Sequence, residues 1–284
     1  NAGYTAIICK SRLSDSKSLS YYTIQTMNEP QSSTPLGEIM DFCSEYASYM
    51  FGCGVHTSRV VRCTERIARS LHVEVQISYT LRHYVMSMRD PSDGTVLTRV
   101  GTVDLLPISF LRNSDLSALS WQAVDDKLTL DELRTQFHRL ISKPRINPRV
   151  VLLLVGLANA CFCHLFGGDA LAMLVVFVAT VIGFGLRQYM QKRHVNHFIV
   201  FVVAAYVASM CASVALMFDC TAQIAIATSP LFLIPGVPLI NSFVDVLDGH
   251  VLVGFSRLVS TLLLVMCIAI GLSFTLLLIK GSLL

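Results

Sequence analysis

From Val150 onward, apolar residues run together instead of alternating with polar ones. Residues 150–166, 170–186, 198–218, 222–240 and 258–279 contain no Lys, Arg, Asp or Glu. Each run is about long enough to cross a hydrocarbon core of roughly 30 Å as a helix. Barrel strands would alternate apolar and polar positions, and irregular backbone would leave its amides unsatisfied in lipid, so the pattern predicts five membrane helices. Before residue 149 the periods are shorter. Leu36, Ile39, Met40, Cys43, Ala47 and Met50 recur at helical spacing behind Thr34 as N-cap and Pro35 at the first helical position, predicting a helix over about 35–51. After Gly52-Cys53-Gly54, the positions Val60, Val61, Thr64, Ile67, Ala68 and Leu71 predict a second helix, capped by Thr57 or Ser58 and paired with the first as a hairpin. Val73, Val75, Ile77 and Tyr79 then alternate with polar residues, and Tyr84, Met86 and Met88 repeat the alternation. The turn composition of Asp90-Pro91-Ser92-Asp93-Gly94 leads to a third strand near 95–103, and residues 114–142 return to helix in two pieces split near Lys127. Pro144 and Pro148 end that stretch.

The fold class expected is therefore an α-helical membrane protein of five transmembrane helices, one of them broken, with an N-terminal α+β cytosolic domain. The expected divisions are a disordered tail over 1–33, rich in Ser and Thr and without the apolar core of a signal peptide, a cytosolic domain over 34–148, and a transmembrane domain over 149–284. Charge follows the same division. Of 22 Lys and Arg, 17 precede residue 150, as do 15 of 19 Asp and Glu. The net charge of +3 thus averages two unlike halves, and no basic stripe with interleaved aromatics points to nucleic acid. Arg139, Lys143, Arg145 and Arg149 precede the first run, and Arg187, Lys192 and Arg193 separate the second from the third, while the turns 167–169 and 219–221 carry no Lys or Arg. The positive-inside rule then places the soluble domain in the cytoplasm.

Nine cysteines without a CxxC pair read as reduced thiols. Cys161, Cys163 and His164 are compatible with a soft metal, but without a second cluster packing is the expected role, and no metal or other cofactor is expected. In the soluble half, Gly54, His56, Thr57, Ser58 and Arg59 lie at a glycine-flanked helix start where free amides and the positive end of the helix dipole converge, a candidate anion site. The plain alternative is a capped helix start after a tight turn. A nucleophile served by His56 lacks an orienting carboxylate, and no catalytic residue is assigned.

A sharper feature lies late in the membrane half, where Pro230, Pro235, Gly236 and Pro238 fall within nine residues. Each proline removes an amide donor and obstructs the preceding turn, so the helix must break, and its freed carbonyls need partners in protein or a wet cavity. The expected non-helical stretch is 234–242. Broken helices are a common way to build a transport site. Pro235, Gly236, Pro238, Asn241, Ser242, Asp245 and Asp248 are candidate substrate-binding residues. Arg257 joins them as a carboxylate-binding group or as an ion-pair partner of Asp245 or Asp248. Asn159 is a polar residue at lipid depth, either helix glue or substrate contact. Arg187 and Gln188 read as snorkelling side chains, and Gly183, Gly185, Ala204, Ala208 and Ala212 as close-packing surfaces.

The run from Ile234 to Leu258, with its Pro-Gly-Val-Pro and Asn-Ser-Phe-Val-Asp-Val-Leu-Asp, resembles the proline-glycine signature of the threonine/serine exporter family, whose members include a two-component succinate exporter. Gly54-Val-His-Thr-Ser-Arg-Val60 with Glu65-Arg-Ile67 is similar to that family's cytosolic helix start, and Phe166-Gly-Gly-Asp169 to its first external turn, although His56 stands where an acidic or small residue is expected. The resemblance covers roughly residues 35–284. It implies the larger component of a split exporter in a bacterial inner membrane, moving a small carboxylate-bearing metabolite with a small membrane subunit as partner, in an oligomer. The absence of a Walker A loop argues against ATP hydrolysis by this chain. Two other classes are consistent with the residues: a membrane-anchored hydrolase-like enzyme built around His56 and Ser58, and a ligand-sensing membrane scaffold. Five spans exceed what an anchor needs, and the Pro235–Asp248 cluster exceeds what a scaffold needs.

Overall fold

The computed structural model describes residues 21–22, 35–80, 82–104, 106–144 and 146–282. The expectations of a disordered tail over 1–33 and of Thr34 as a cap fall outside the described residues, except that Tyr21–Tyr22 forms a short strand, β1. The chain divides into two compact units, one of Asn1–Lys143 with Val237–Leu258, the other of Pro144–Gly236 with Val259–Leu284.

The first unit opens with the helical hairpin α1 (Pro35–Gly52) and α2 (Thr57–Ser70), followed by β2 (Glu74–Tyr79), β3 (His83–Arg89) and β4 (Val96–Thr102). The sheet is antiparallel throughout, in the order β1-β4-β3-β2. Its register pairs Val75 with Met88, Ile77 with Met86 and Tyr79 with Tyr84, so that the apolar set of both strands shares one face. That face packs on Met40, Cys43, Tyr46 and Met50 of α1 and on Val60 and Ile67 of α2 in one buried core. Full burial pushes the Cys43 thiol up to about 12, in keeping with a structural cysteine. Helices α3 (Phe110–Asp125) and α4 (Leu130–Ile141) break where Lys127 adopts a φ of +50°. Thr129 and Glu132 form a reciprocal capping box at the start of α4. Beside this core run α9 (Gly236–Leu247) and the first turns of α10 (Val251–Ser282), and Val253 is buried within it.

The second unit contains α5 (Pro148–Leu165), α6 (Ala170–Lys192), α7 (His197–Ala212), the short α8 (Ala222–Thr228) and the remainder of α10. Among the described residues, four helical segments are long and apolar enough to cross a membrane, and a fifth span results if the interrupted pair Ala222–Leu233 and Gly236–Leu247 is counted as one. The protein is an α-helical, multi-pass membrane protein carrying an α+β region. Its packing surfaces are small: Ala204, Ala208 and Ala212 are buried, and a Cβ on Gly183 would meet that of Ala208 at 2.9 Å. Gly185 has more room, its nearest neighbour being Leu152 at 3.9 Å. Asp169 caps α6 by accepting from the Ala172 amide at 2.8 Å, and it also accepts from the Thr221 amide at 3.2 Å, joining the two turns. Cys163 is buried and Cys161 exposed, so the CxCH residues do not converge.

The break in the fourth span is narrower than the expected 234–242. Helix ends at Thr228, a 3-10 turn covers Leu231–Leu233, and helix resumes at Gly236, leaving Ile234 and Pro235 between. Pro238 does not prolong the interruption, because it falls in the first turn of α9, where backbone amides have no intrahelical acceptor to lose.

Candidate functional site

The candidates on either side of residue 149 converge within the first unit. At the N-terminus of α2, His56 is the N-cap residue but makes no side-chain cap bond. The expected caps, Thr57 and Ser58, lie inside the helix instead, and the capping group comes from far along the chain. Asp245 of α9 is fully buried, and its Oδ1 accepts from the Thr57 amide at 2.7 Å. The notch is thus filled by the protein's own carboxylate, which caps the helix start from a distance in sequence. A buried carboxylate there gains from the amide and from the positive end of the helix dipole.

The other Asp245 oxygen accepts from Arg257 Nη1, also at 2.7 Å. Arg257 Nη2 donates to the Val55 carbonyl at 3.2 Å, and the guanidinium lies 4.3 Å from the centre of the Phe51 ring. Asn241, one turn before Asp245 on the same face of α9, donates to the Gly54 carbonyl at 2.6 Å. Gly54 has a φ of +82°, and a Cβ there would meet Ile108 at 2.9 Å, so glycine is what lets this turn present its carbonyl. Asn241, Asp245 and Arg257 thus meet the segment 54–57 through three hydrogen bonds, and a fourth joins Arg257 to Asp245. Three of them involve a charged group, the stronger class.

Other candidates stand apart from this cluster. Ser242 is buried and donates to its own helix at Leu239, while Asp248 is exposed. Ser58 and Arg59 are partly buried in the first turn of α2, and among the described residues no hydrogen bond joins Ser58 to His56. Pro235 is buried and Gly236 has nothing within 4 Å of an added Cβ. Phe51 and the carbonyls of Gly54 and Val55 were not legible as site groups, since a backbone acceptor leaves no mark in the sequence.

The close approach of α9 and α10 is made by two glycines. Gly249, at φ +89°, reverses the chain, and Gly254 lies so near α9 that a Cβ would fall 2.7 Å from the Ser242 carbonyl oxygen and 2.9 Å from the Val246 amide. Backbone cannot yield as a flexible side chain does. Gly254→Ala is expected to cost about 1–3 kcal/mol of stability, whereas Gly236→Ala should fall within about 0.5 kcal/mol of wild type. Thermal unfolding of the two purified variants checks this, and equal melting temperatures would contradict it.

His56 gives the region a pH dependence. Burial is the first cause holding its pKa below the usual 6.5; Arg62 and Arg59 act in the same direction, and Asp245 and Asp248 oppose them. Because the folded protein resists protonation more than the unfolded chain, this contribution is fully present above the unfolded pKa. It is lost as pH falls through 6.5 toward the lower folded value. The stability advantage of wild type over His56→Gln should therefore shrink between about pH 7.5 and about pH 5. Parallel melting curves across that range would refute it.

In the second unit, Asn159 is buried on α5, and its Nδ2 lies 2.7 Å from Thr180 Oγ1, 3.3 Å from the Thr228 carbonyl and 3.1 Å from the Ser229 carbonyl. Those carbonyls are the ones that the change from α-helix to 3-10 turn deprives of their usual partners. Pro230 likewise offers no amide to the Ile226 carbonyl, which accepts from Ser229 Oγ at 2.9 Å instead. Asn159 is thus the cap of the interrupted helix, and its buried Oδ1 has no hydrogen-bond partner.

The family described as putative threonine/serine exporter matches residues 41–279. The probable succinate transporter subunit YjjP of Klebsiella aerogenes is 28% identical over 245 residues, covering 84% of this chain and 94% of that protein. The probable succinate transporter subunit YjjP of Escherichia coli (strain K12) is 26% identical over 245 residues with the same coverage, 84% and 94%. No solved structure matches the chain.

Proposed function

Because the chain belongs to the threonine/serine exporter family, we propose that it is the larger component of a two-part exporter carrying a small carboxylate-bearing metabolite out of the cytoplasm. The substrate class is threonine and serine or a dicarboxylate such as succinate, and the partner is a small membrane subunit. The relatives named as subunits of a probable succinate transporter support both the dicarboxylate and the partner. In this reading the first unit faces the cytoplasm and the membrane is the bacterial inner membrane.

The observation that carries the reading is the buried Asp245–Arg257 pair closing on the Thr57 amide just after the helix break. These groups together bind a carboxylate, and at rest the carboxylate is Asp245. A substrate carboxylate is chemically equivalent to it. Displacement of Asp245 from the amide and the guanidinium frees two donors, already aimed at one carboxylate, for the substrate. Asn241 then recognises a further polar group.

Efflux of labelled succinate and threonine at matched expression, with the small subunit present, tests the proposal. Asp245→Asn keeps the shape but removes the titratable charge, so it should abolish gradient-driven efflux. Asn241→Ala should weaken substrate binding by roughly tenfold to a hundredfold, the equivalent of about 1–3 kcal/mol for an unpaired buried group. Wild-type efflux rates from both variants would end the proposal.

A further inference from the structure

Arg187, on α6 one and a half turns before Lys192, does not behave as a snorkelling side chain. A side chain seeking water would extend past the helix end. Instead its guanidinium lies 5.0 Å from the centre of the Phe201 ring on α7 and 5.7 Å from that of Phe184. Phe184 in turn meets Phe232, in the 3-10 turn of the interrupted span, edge-on at 5.9 Å. His197 at the start of α7 lies 4.8 Å from Phe201 with the two rings tilted by 52°, and the Arg187 charge acts on it. The surroundings of the guanidinium therefore include two aromatic faces and a second basic group.

No acid of this unit is placed to pair with it. Pro144–Gly236 and Val259–Leu284 hold six Lys and Arg but only two acidic residues, Asp169 and Asp219. Asp169 caps the opposite end of α6, about 27 Å along the helix at 1.5 Å per residue. The Thr221 turn that contains Asp219 is bonded to Asp169 at that same end. The Arg187 Nε is buried and has no hydrogen-bond partner. Arg187 is partly buried; a charged group held partly out of water without a counter-charge is costly, and inside membrane proteins such groups mark ion and substrate paths. Stacking on phenyl faces occupies the plane of a guanidinium and leaves its edge, where the N–H donors point, available for the two oxygens of a carboxylate.

We propose that Arg187, with His197 as a second donor and Phe184 and Phe201 as walls, is a carboxylate-binding station for the exported metabolite at the Lys192 end of α6. It shares no residue with the Asp245 cluster, and it rests on the reading of the chain as a carboxylate exporter. The sequence reads Arg187 as a snorkelling group because a basic residue near a helix end is ordinarily a solvated one.

The test is succinate and threonine binding to the full chain in phosphatidylcholine nanodiscs, by calorimetry, with melting temperatures measured alongside. Arg187→Gln should weaken binding of the preferred carboxylate about tenfold or more. Arg187→Lys should fall between, since an ammonium keeps the charge but not the paired donors. The melting temperature of ligand-free Arg187→Gln should equal or exceed that of wild type, because the substitution removes an uncompensated charge. Binding by Arg187→Gln within about twofold of wild type overturns the station and leaves the export reading standing. Failure of wild type to bind either carboxylate overturns both. Arg187-dependent retention of phosphatidylglycerol, with carboxylate binding indifferent to Arg187, overturns it in favour of a lipid headgroup.

Discussion

Asp245→Ala is expected to be the most damaging single substitution in the first unit, lowering stability by about 3–5 kcal/mol. Two effects combine. Arg257, only 9% exposed, would lose its carboxylate in a place where water reaches it poorly, and the α2 N-terminus would lose the acceptor for its Thr57 amide. Asp245→Asn should cost less, because an amide oxygen still accepts from Thr57 although it no longer balances Arg257. Replacing both partners with apolar residues, Asp245→Leu with Arg257→Met, should recover much of the stability, since no unpaired charge remains, while efflux stays absent. Thermal unfolding of the purified variants decides this. An Asp245→Ala protein as stable as wild type would show that the pair contributes little and that the geometry of α9 against Thr57 is held by packing alone.

Asn159→Ala is expected to have the largest effect in the second unit. It strands the carbonyls of Thr228 and Ser229 and the hydroxyl of Thr180, each buried or partly buried, at about 1–3 kcal/mol per group left without a partner. Asn159→Asp keeps the volume but turns a donor into an acceptor facing three oxygens, so it should be at least as damaging. Melting temperatures together with protease cleavage across 229–236 give the readout: both variants should melt earlier and be cut faster there. Wild-type behaviour from both would mean that the interruption needs no cap from α5. The unpartnered Oδ1 sharpens the contrast, because the residue is held by its donor end alone.

Both expectations depend on residues whose type was readable and whose partners were not. Asn159 was legible as a polar residue in an apolar run, but Thr180 and two carbonyls beyond a helix break were not. Arg257 was legible as a partner for a nearby acid. The choice of Asp245 over the exposed Asp248 followed from the helical face that α9 turns inward, which depends on where Pro235 stops one helix and lets the next begin. Arg187 was read as a surface group because its sequence neighbours, Gln188, Lys192 and Arg193, are those of a helix end at the membrane surface.

The sequence by itself determined the secondary structure and the membrane character of this protein, because both arise from local period. Apolar runs near bilayer length became α5, α6, α7 and α10, the alternation at 73–88 became β2 and β3, and Pro-Gly-x-Pro interrupted the fourth span. The excess of amides at the α2 N-terminus was local too, and it left a bound anion and a plain helix cap both open. What only the tertiary structure decided is that the cap is a carboxylate of the chain itself. Asp245 lies 188 positions from Thr57, and nothing in the spacing of residues along a chain specifies a contact that packing of a core must first create. Charge complementarity narrows the candidates; a buried site then selects one, because the desolvation cost is offset only where both carboxylate oxygens meet donors at hydrogen-bond distance.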